Sequence, residues 1–272
     1  MEISAAMVRE LREKTGLPMM ECKQALTEAQ GDMAKAVEVL KRFGSAKISK
    51  MATRETSQGR IACHVAGQRA SIVEVLCETA PVANTDDFQA LAKAIAEAAA
   101  ALDAPTPDAV LAAPAPGHAG KTINDLKGEV FNRLRENIVI KRVACVSGHV
   151  AHYVHHNAQV GVVIALSGDC PAELRADVCM HIAAMNPPYL RRADVDAAAV
   201  EEERARAAEE AKGKPAQIIE KIVAGKLDRW YAEVVLLDQP FVKDDKHSVG
   251  QVLANAAAGL TVTQFHRFQV GG

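Results

Sequence analysis

No run in this 272-residue sequence reaches 18 uninterrupted apolar residues, so nothing in it has the length a membrane-spanning helix needs. There is no basic excess either. The 32 Lys and Arg residues stand against 34 Asp and Glu, and a formal net charge of -2 argues against a nucleic-acid surface. Cys-x-x-Cys pairs are missing. Cys22, Cys63, Cys77, Cys145, Cys170 and Cys179 are spread out, several in apolar patterns, and read as reduced, buried thiols rather than disulfides or metal ligands. A charged and then apolar leader is also lacking: Met1, Glu2, Ile3 and Ser4 lead straight into a helix, so a cytoplasmic location is expected.

The usual marks of an enzyme are absent too. Gly120-Lys121-Thr122 needs a glycine at position 115 to make a phosphate loop, but Ala115 stands there, and a proline-rich stretch precedes it instead of a strand. His149, His152, His155 and His156 cluster, yet strand alternation sends some to opposite faces. No acidic or thiol ligand recurs at zinc spacing, so neither a metal site nor a cofactor is expected. No serine or cysteine lies in a nucleophile elbow, and no carboxylate pair stands out from ordinary solvated charge. No catalytic residue is assigned. With 49% hydrophobic and 24% charged residues, the chain is ordinary globular material, long enough for two or more domains.

What is present begins with three short amphipathic helices. Ser4 caps the first, which carries Met7, Val8 and Leu11, and Gly16 ends it. Pro18 opens the second at a position where a missing N–H costs nothing, and Cys22, Ala25, Leu26 and Ala29 share one face. Gly31 stops it, Asp32 caps a third helix carrying Met33, Ala36, Val37 and Leu40, and Gly44 is expected to end the element. So small a bundle has a marginal core. Leu17, Met19 and Met20 are its candidate contact surface, although spacing alone equally allows the methionines to fill the core.

The segment Lys47 to Ser57 reads as a hinge. Beyond it, Ile61, Cys63 and Val65 alternate, Gly67 turns, and Ala70 to Cys77 completes a hairpin. A helix follows with Phe88, Leu91, Ala92, Ile95, Ala99 and Leu102 on one face and Asp86 or Asp87 as cap. Four prolines in 103–117 mark a surface connection. Thr122 and Asp125 have capping-box spacing for a helix running to Asn137. A strand over Ile138 to Val146 comes next, then a second hairpin around Asn157, and a helix opened by Pro171 with Leu174, Val178, Ile182 and Met185. Hairpin then helix thus occurs twice. From Val195 to Lys212 the chain is alanine with dense Glu and Arg, a solvated helix that pairs through Gly213 to Pro215 with one carrying Ile218, Ile222 and Leu227. The core resumes at Tyr231 to Leu237, Ser248 caps a short helix, and Leu260 to Val270 closes as a strand.

The residues Leu11-Arg12-Glu13-Lys14-Thr15-Gly16, Met19-Met20-Glu21-Cys22-Lys23 and Ala25-Leu26-Thr27-Glu28-Ala29, with Gly31-Asp32, closely resemble the amino-terminal domain of the bacterial elongation factor Ts family. Later blocks continue the resemblance in order: Glu136-Asn137-Ile138 with Arg142-Val143, Val160-Gly161-Val162, His181-Ile182-Ala183-Ala184, Gln239-Pro240-Phe241-Val242, Val249-Gly250-Gln251 and Arg267-Phe268. The implied fold is α+β. A three-helix, UBA-like module spans 1–54, core subdomains with antiparallel sheets span 55–140 and then 141–190 with 230–272, and a helical hairpin is inserted at 191–229.

The implied function is guanine-nucleotide exchange on the translational GTPase, elongation factor Tu, without covalent chemistry. In the family a Thr-Asp-Phe-Val loop disturbs the magnesium and phosphate contacts of the GTPase. Thr79, Ala80, Pro81 and Val82 occupy that place here, so the acidic residue and the aromatic wedge are both replaced. Phe88 aligns with a separate family phenylalanine and is expected in the core. The resemblance also carries over Met19, Met20 and Lys23 as partner contacts, and His155, whose alternative is an ordinary hairpin-edge residue. The altered loop leaves a second function open, a stabilising partner of the same GTPase with weak or no exchange. Many long-form relatives continue past the Val270-Gly271-Gly272 ending into a further helix that touches the GTPase; its lack is expected to cost affinity, although some relatives do without it. The sequence leaves self-association as a homodimer open.

Overall fold

The computed structural model describes residues 3–51 and 53–272, with backbone alone at 45–50. It divides into two compact units: Met1–Ala62 with Val73–Val143 and Val270–Gly272, and Cys63–Ile72 with Ala144–Gln269. Mixed helices and small antiparallel sheets make it an α+β protein.

Along the chain come α1 (Ala5–Thr15), α2 (Met19–Glu28) and α3 (Met33–Met51). Ser4 Oγ accepts the Met7 N–H at 3.3 Å, and Gly16, at φ 69°, ends α1. Asp32 Oδ1 accepts the N–H groups of Ala34 and Lys35, satisfying two donors that the start of α3 leaves open. Leu11, Leu17, Cys22, Ala25, Leu26, Ala36 and Leu40 form the small core. Pro18 sits one position earlier than expected, as the cap of α2.

There follow β1 (Gln58–Ala66), β2 (Arg69–Cys77), α4 (Ala80–Ala83), α5 (Asp86–Ala100), α6 (Pro107–Ala112), α7 (Ile123–Leu134) and β3 (Val139–Ser147). The strands form a sheet in the order β1-β2-β3, with Gly67 at φ 58° in the turn between the first two. Alternation puts Val73, Val75 and Cys77 of β2 into one core with Phe88, Leu91 and Ile95 of α5, Val110 of α6 and Ile123 and Val130 of α7.

Several expectations fail here for identifiable reasons. The helix expected to stop at Gly44 runs on as α3 to Met51, occupying part of the expected hinge; Ala52, also in that hinge, lies outside the described residues. A Cβ at Gly44 would stand 2.8 Å from the Asn132 side chain of α7, so this glycine serves a close helix approach instead of a stop. The cap of α5 is Thr85, which accepts the Phe88 N–H, while Asp86 and Asp87 fall in the first turn and favour the positive helix end. The proline-rich stretch is not all surface. Pro107 starts α6, as its ring permits at a first helical position, and Val110, Ala113 and Ala115 are buried. The Thr122 and Asp125 capping box forms, but α7 ends at Leu134 because Arg135 turns left-handed at φ 60°.

The remaining elements are β4 (His149–Val154), β5 (Val160–Leu166), α8 (Ala172–Met185), α9 (Ala197–Glu210), α10 (Ala216–Val234), β6 (Pro240–Phe241), β7 (Asp244–Ser248), α11 (Val249–Ala256) and β8 (Val262–Gln269). Strand β5 pairs antiparallel with β4 on one side and β8 on the other, His152 opposite Val163 and Ile164 opposite Phe265. Val162, Ile164 and Leu166 pack with Val178, Cys179 and Ile182 of α8 and with Leu236, Phe241 and Leu253. Met185, expected on that face of α8, is exposed at its end. Helices α9 and α10 form the expected hairpin, and Lys226 pairs with Glu210 across it. α10 continues through Tyr231 to Val234, so the core resumes only at Val235 and Leu236; at its base the Arg192 guanidinium lies 4.5 Å from the Tyr231 ring and pairs with Asp228 and Asp238.

All six cysteines are free. Burial pushes the Cys77 thiol up to about 11 and Cys179 to about 12, so both stay protonated.

His181, fully buried, joins α8 to the 239–242 segment. Its Nδ1 accepts the Val242 N–H at 3.3 Å, so Nε2 carries the proton and donates to Gln239 Oε1 at 2.9 Å. The neutral ring fits both bonds, and burial lowers its pKa from the ordinary imidazole value.

A Cβ at Gly59 would lie 2.2 Å from the Val75 carbonyl oxygen and 2.9 Å from Leu76 Cα, so Gly59→Ala should destabilise by about 1–3 kcal/mol in urea unfolding. A buried His with a depressed pKa stabilises the fold above the unfolded value near 6.5 and loses that contribution as pH falls through the folded value. Thermal unfolding midpoints should therefore fall from pH 7.5 to 5.5, with a shallower slope in His181→Ala.

Candidate functional site

In the first unit, Pro18 turns the chain into α2 so that its first two residues face outward. Met19 is 44% and Met20 75% exposed, so neither fills the core, and Lys23 is exposed one turn further on. Two thioethers side by side in solvent are an adaptable apolar surface, with a cation at its edge. Leu17 is different. At 5% exposure it packs into the core of the three helices, beneath the surface that the sequence reading assigned to it.

The segment Thr79 to Val82 does not form an open loop. Thr79 is extended, at φ -129° and ψ 149°, and Ala80 to Val82 enter the single turn of α4, which suits a proline at its second position. Ala80 and Pro81 are exposed, Val82 packs partly against the core and Ala83 is buried, so the solvent-facing tip is a methyl group and a pyrrolidine ring. Phe88 is fully buried in α5 and takes no part in the tip.

Besides its own bonds, such as the Ala83 N–H to the Thr79 carbonyl, this turn is held by a carboxylate 57 residues away. Glu136 Oε2 accepts the N–H groups of Glu78 and Thr79 at 3.1 and 3.0 Å, and Oε1 accepts the Thr79 hydroxyl at 2.6 Å. The exchange is mutual, for Glu78 Oε1 accepts the Asn137 N–H at 2.7 Å. Asn137 Nδ2 donates to the Arg54 carbonyl, and Arg54 pairs with Glu78 at 3.4 Å. Directly before Glu136, Arg135 donates to both carboxylate oxygens of Glu21 on α2, at 3.0 and 2.9 Å. Consecutive side chains therefore reach the methionine-bearing helix and the α4 turn. In the sequence, Glu136 and Asn137 stand out only as part of the Glu136-Asn137-Ile138 block. Nothing local signals their role, because both partners are distant in sequence.

In the second unit, His155 sits where the β4 strand enters its turn. Its N–H donates to the Val160 carbonyl, its Nδ1 lies 2.9 Å from the Tyr153 hydroxyl, and its ring is half-buried. With Tyr153, Val160, Met180, Ala183, Ala184, Val242 and Lys243 it lines a mainly apolar groove of about 430 Å³. Val242 is exposed there, and Lys243 pairs with Asp177 at 2.7 Å. Val242 and Tyr153 were not singled out from sequence, although Val242 ends the Gln239-Pro240-Phe241-Val242 block.

Among the described residues, no three His, Cys, Asp or Glu side chains gather as a metal site, and no helix is long and apolar enough to cross a membrane. The described surfaces offer apolar side chains flanked by charge, which equips them for contact.

Comparison with known proteins agrees over nearly the whole length. Residues 78–272 match the family described as "Elongation factor TS". The chain is 41% identical to "Elongation factor Ts" of Methylococcus capsulatus over 278 residues, covering 100% of this chain and 93% of that protein. It is 42% identical to the Burkholderia thailandensis protein of that name, covering 99% and 91%, and 39% identical to the Prosthecochloris aestuarii one, covering 99% of each. On this evidence the chain belongs to the elongation factor Ts family.

Proposed function

We propose that this protein is a guanine-nucleotide exchange factor that binds elongation factor Tu and promotes GDP release by disturbing its magnesium and phosphate contacts. Family membership supports the partner and the general activity. The observation that bears most on mechanism is the α4 turn, pinned at Thr79 by Glu136 and offering Ala80 and Pro81 to solvent. Met19, Met20 and Lys23 supply a second contact, and His155 with its groove a third. The three N-terminal helices act as a UBA-like docking module over 1–54. Core subdomains over 55–140 and over 141–190 with 230–272 carry the turn and the groove, and the 191–229 hairpin is an insertion. The site of action is the cytoplasm, where translation proceeds.

The mechanism needs no bond to be made. A partner that binds the empty GTPase more tightly than its GDP-bound form must, by reciprocity, weaken GDP binding by the same factor. Tip contacts that fit only the distorted nucleotide pocket supply that difference. A specific observation also favours a second reading. Ala80 and Pro81 offer no carboxylate and no aromatic ring, which leaves a stabilising partner with little exchange activity.

Stopped-flow release of a fluorescent GDP from the cognate GTPase separates the two. Exchange predicts release well above the spontaneous rate with this protein in excess; a rate equal to the spontaneous one selects the holding role. Replacing both tip residues, Ala80→Asp with Pro81→Phe, should raise the rate up to about thirtyfold, the worth of an interface aromatic anchor. Met20→Ala should raise the half-saturating concentration about tenfold with its fold unchanged by circular dichroism.

A further inference from the structure

Two exposed features of the first unit, the methionine pair of α2 and the α4 turn, lie about 60 residues apart in sequence, yet one short corner ties them together. Arg135 ends α7 in a left-handed conformation, at φ 60°, where a non-glycine residue is uncommon. That backbone choice sends two consecutive side chains in different directions. Nη2 of the Arg135 guanidinium donates to both carboxylate oxygens of Glu21, whose neighbours in sequence are Met20 and Cys22. The Glu136 carboxylate takes three donors from Glu78 and Thr79, directly before Ala80 and Pro81. Both links are charge-assisted, the first part-buried and the second nearer the surface, the kind that fixes geometry as well as adding energy.

We propose that Arg135 and Glu136 are positioning residues that lock the Met19–Met20 face and the Ala80–Pro81 tip into one rigid surface, so that engagement of the first places the second. The inference rests on the exchange reading for its functional consequence. Neither residue touches the GTPase in this scheme. Pre-set geometry matters more here than in a wedge-bearing loop: a tip with only a methyl group and a ring to offer has little contact energy to spend on ordering itself during binding. A small tip works only if it arrives already aimed.

The pair can be tested in the free protein and in exchange. Amide hydrogen exchange on the full chain reads the lock directly. In Arg135→Ala, the Thr79 N–H, which Arg135 does not touch, should exchange about tenfold faster, because the corner that aims Glu136 has loosened. Glu136→Ala should do the same more strongly, whereas Glu136→Gln keeps a carbonyl acceptor for the two N–H groups and should retain most of the protection. In GDP release, Glu136→Ala should lower the plateau rate about tenfold while the half-saturating concentration moves less than about threefold, with Glu136→Gln restoring it. Thermal melts check that the variants fold.

Failure of the lock and failure of the exchange reading give different signatures. If the wild-type protein speeds release but Glu136→Ala matches it, the positioning role is overturned and the exchange reading stands. If the wild-type protein does not speed release, the exchange reading falls, and hydrogen exchange alone decides: unchanged protection at Thr79 in Arg135→Ala overturns the lock, and faster exchange upholds it.

Discussion

Much of the candidate surface in the first unit depends on one carboxylate. Glu136 satisfies two main-chain N–H groups and one hydroxyl in a turn that has only a single helical turn of its own. An ionised acceptor shared by three donors is worth more than neutral bonds, and removing it would leave the two N–H groups without that acceptor. Its negative charge also adds to burial in raising the Cys77 thiol beneath the turn. The turn is therefore held from the corner between α7 and β3 as well as by its own bonds, the Ala83 N–H donating to the Thr79 carbonyl and Asn84 Nδ2 to the Ala80 carbonyl.

This dependence fits the chemistry open to an exchange factor. Coupling free energy comes from contacts that favour one state of the partner over another, and such contacts are weakened by any slack in the surface that makes them. In the proposed reading, the methionines supply adaptable apolar area and the α4 turn supplies shape. Replacing an aromatic ring by proline trades contact area for rigidity. The second unit uses the same economy of means, since the buried His181 holds Val242 at the rim of the groove that His155 lines.

The sequence disclosed whatever has local grammar. Caps at Ser4, Asp32, Thr122 and Ser248 form as spacing implies, as do the two hairpins and the paired helices α9 and α10. It misled where one residue type serves two purposes. Gly44 looks like a helix stop, but its lack of a side chain admits Asn132; Pro107 looks like a loop residue, but it begins α6. Leu17 shares a turn with two exposed methionines and lies in the core. The anchor of Thr79 was beyond reach for a different reason: contacts across 57 residues leave no period to read, and Arg135 at positive φ carries no compositional sign.

The central claim is that this protein prefers a GTPase with an empty, distorted pocket to one holding GDP. Isothermal titration of the full chain into elongation factor Tu, once nucleotide-free and once saturated with GDP and magnesium, measures that preference directly. The account predicts binding at least tenfold tighter to the empty form, a difference of about 1.4 kcal/mol. Equal affinity for the two forms would contradict it, because a ligand indifferent to the two states shifts neither.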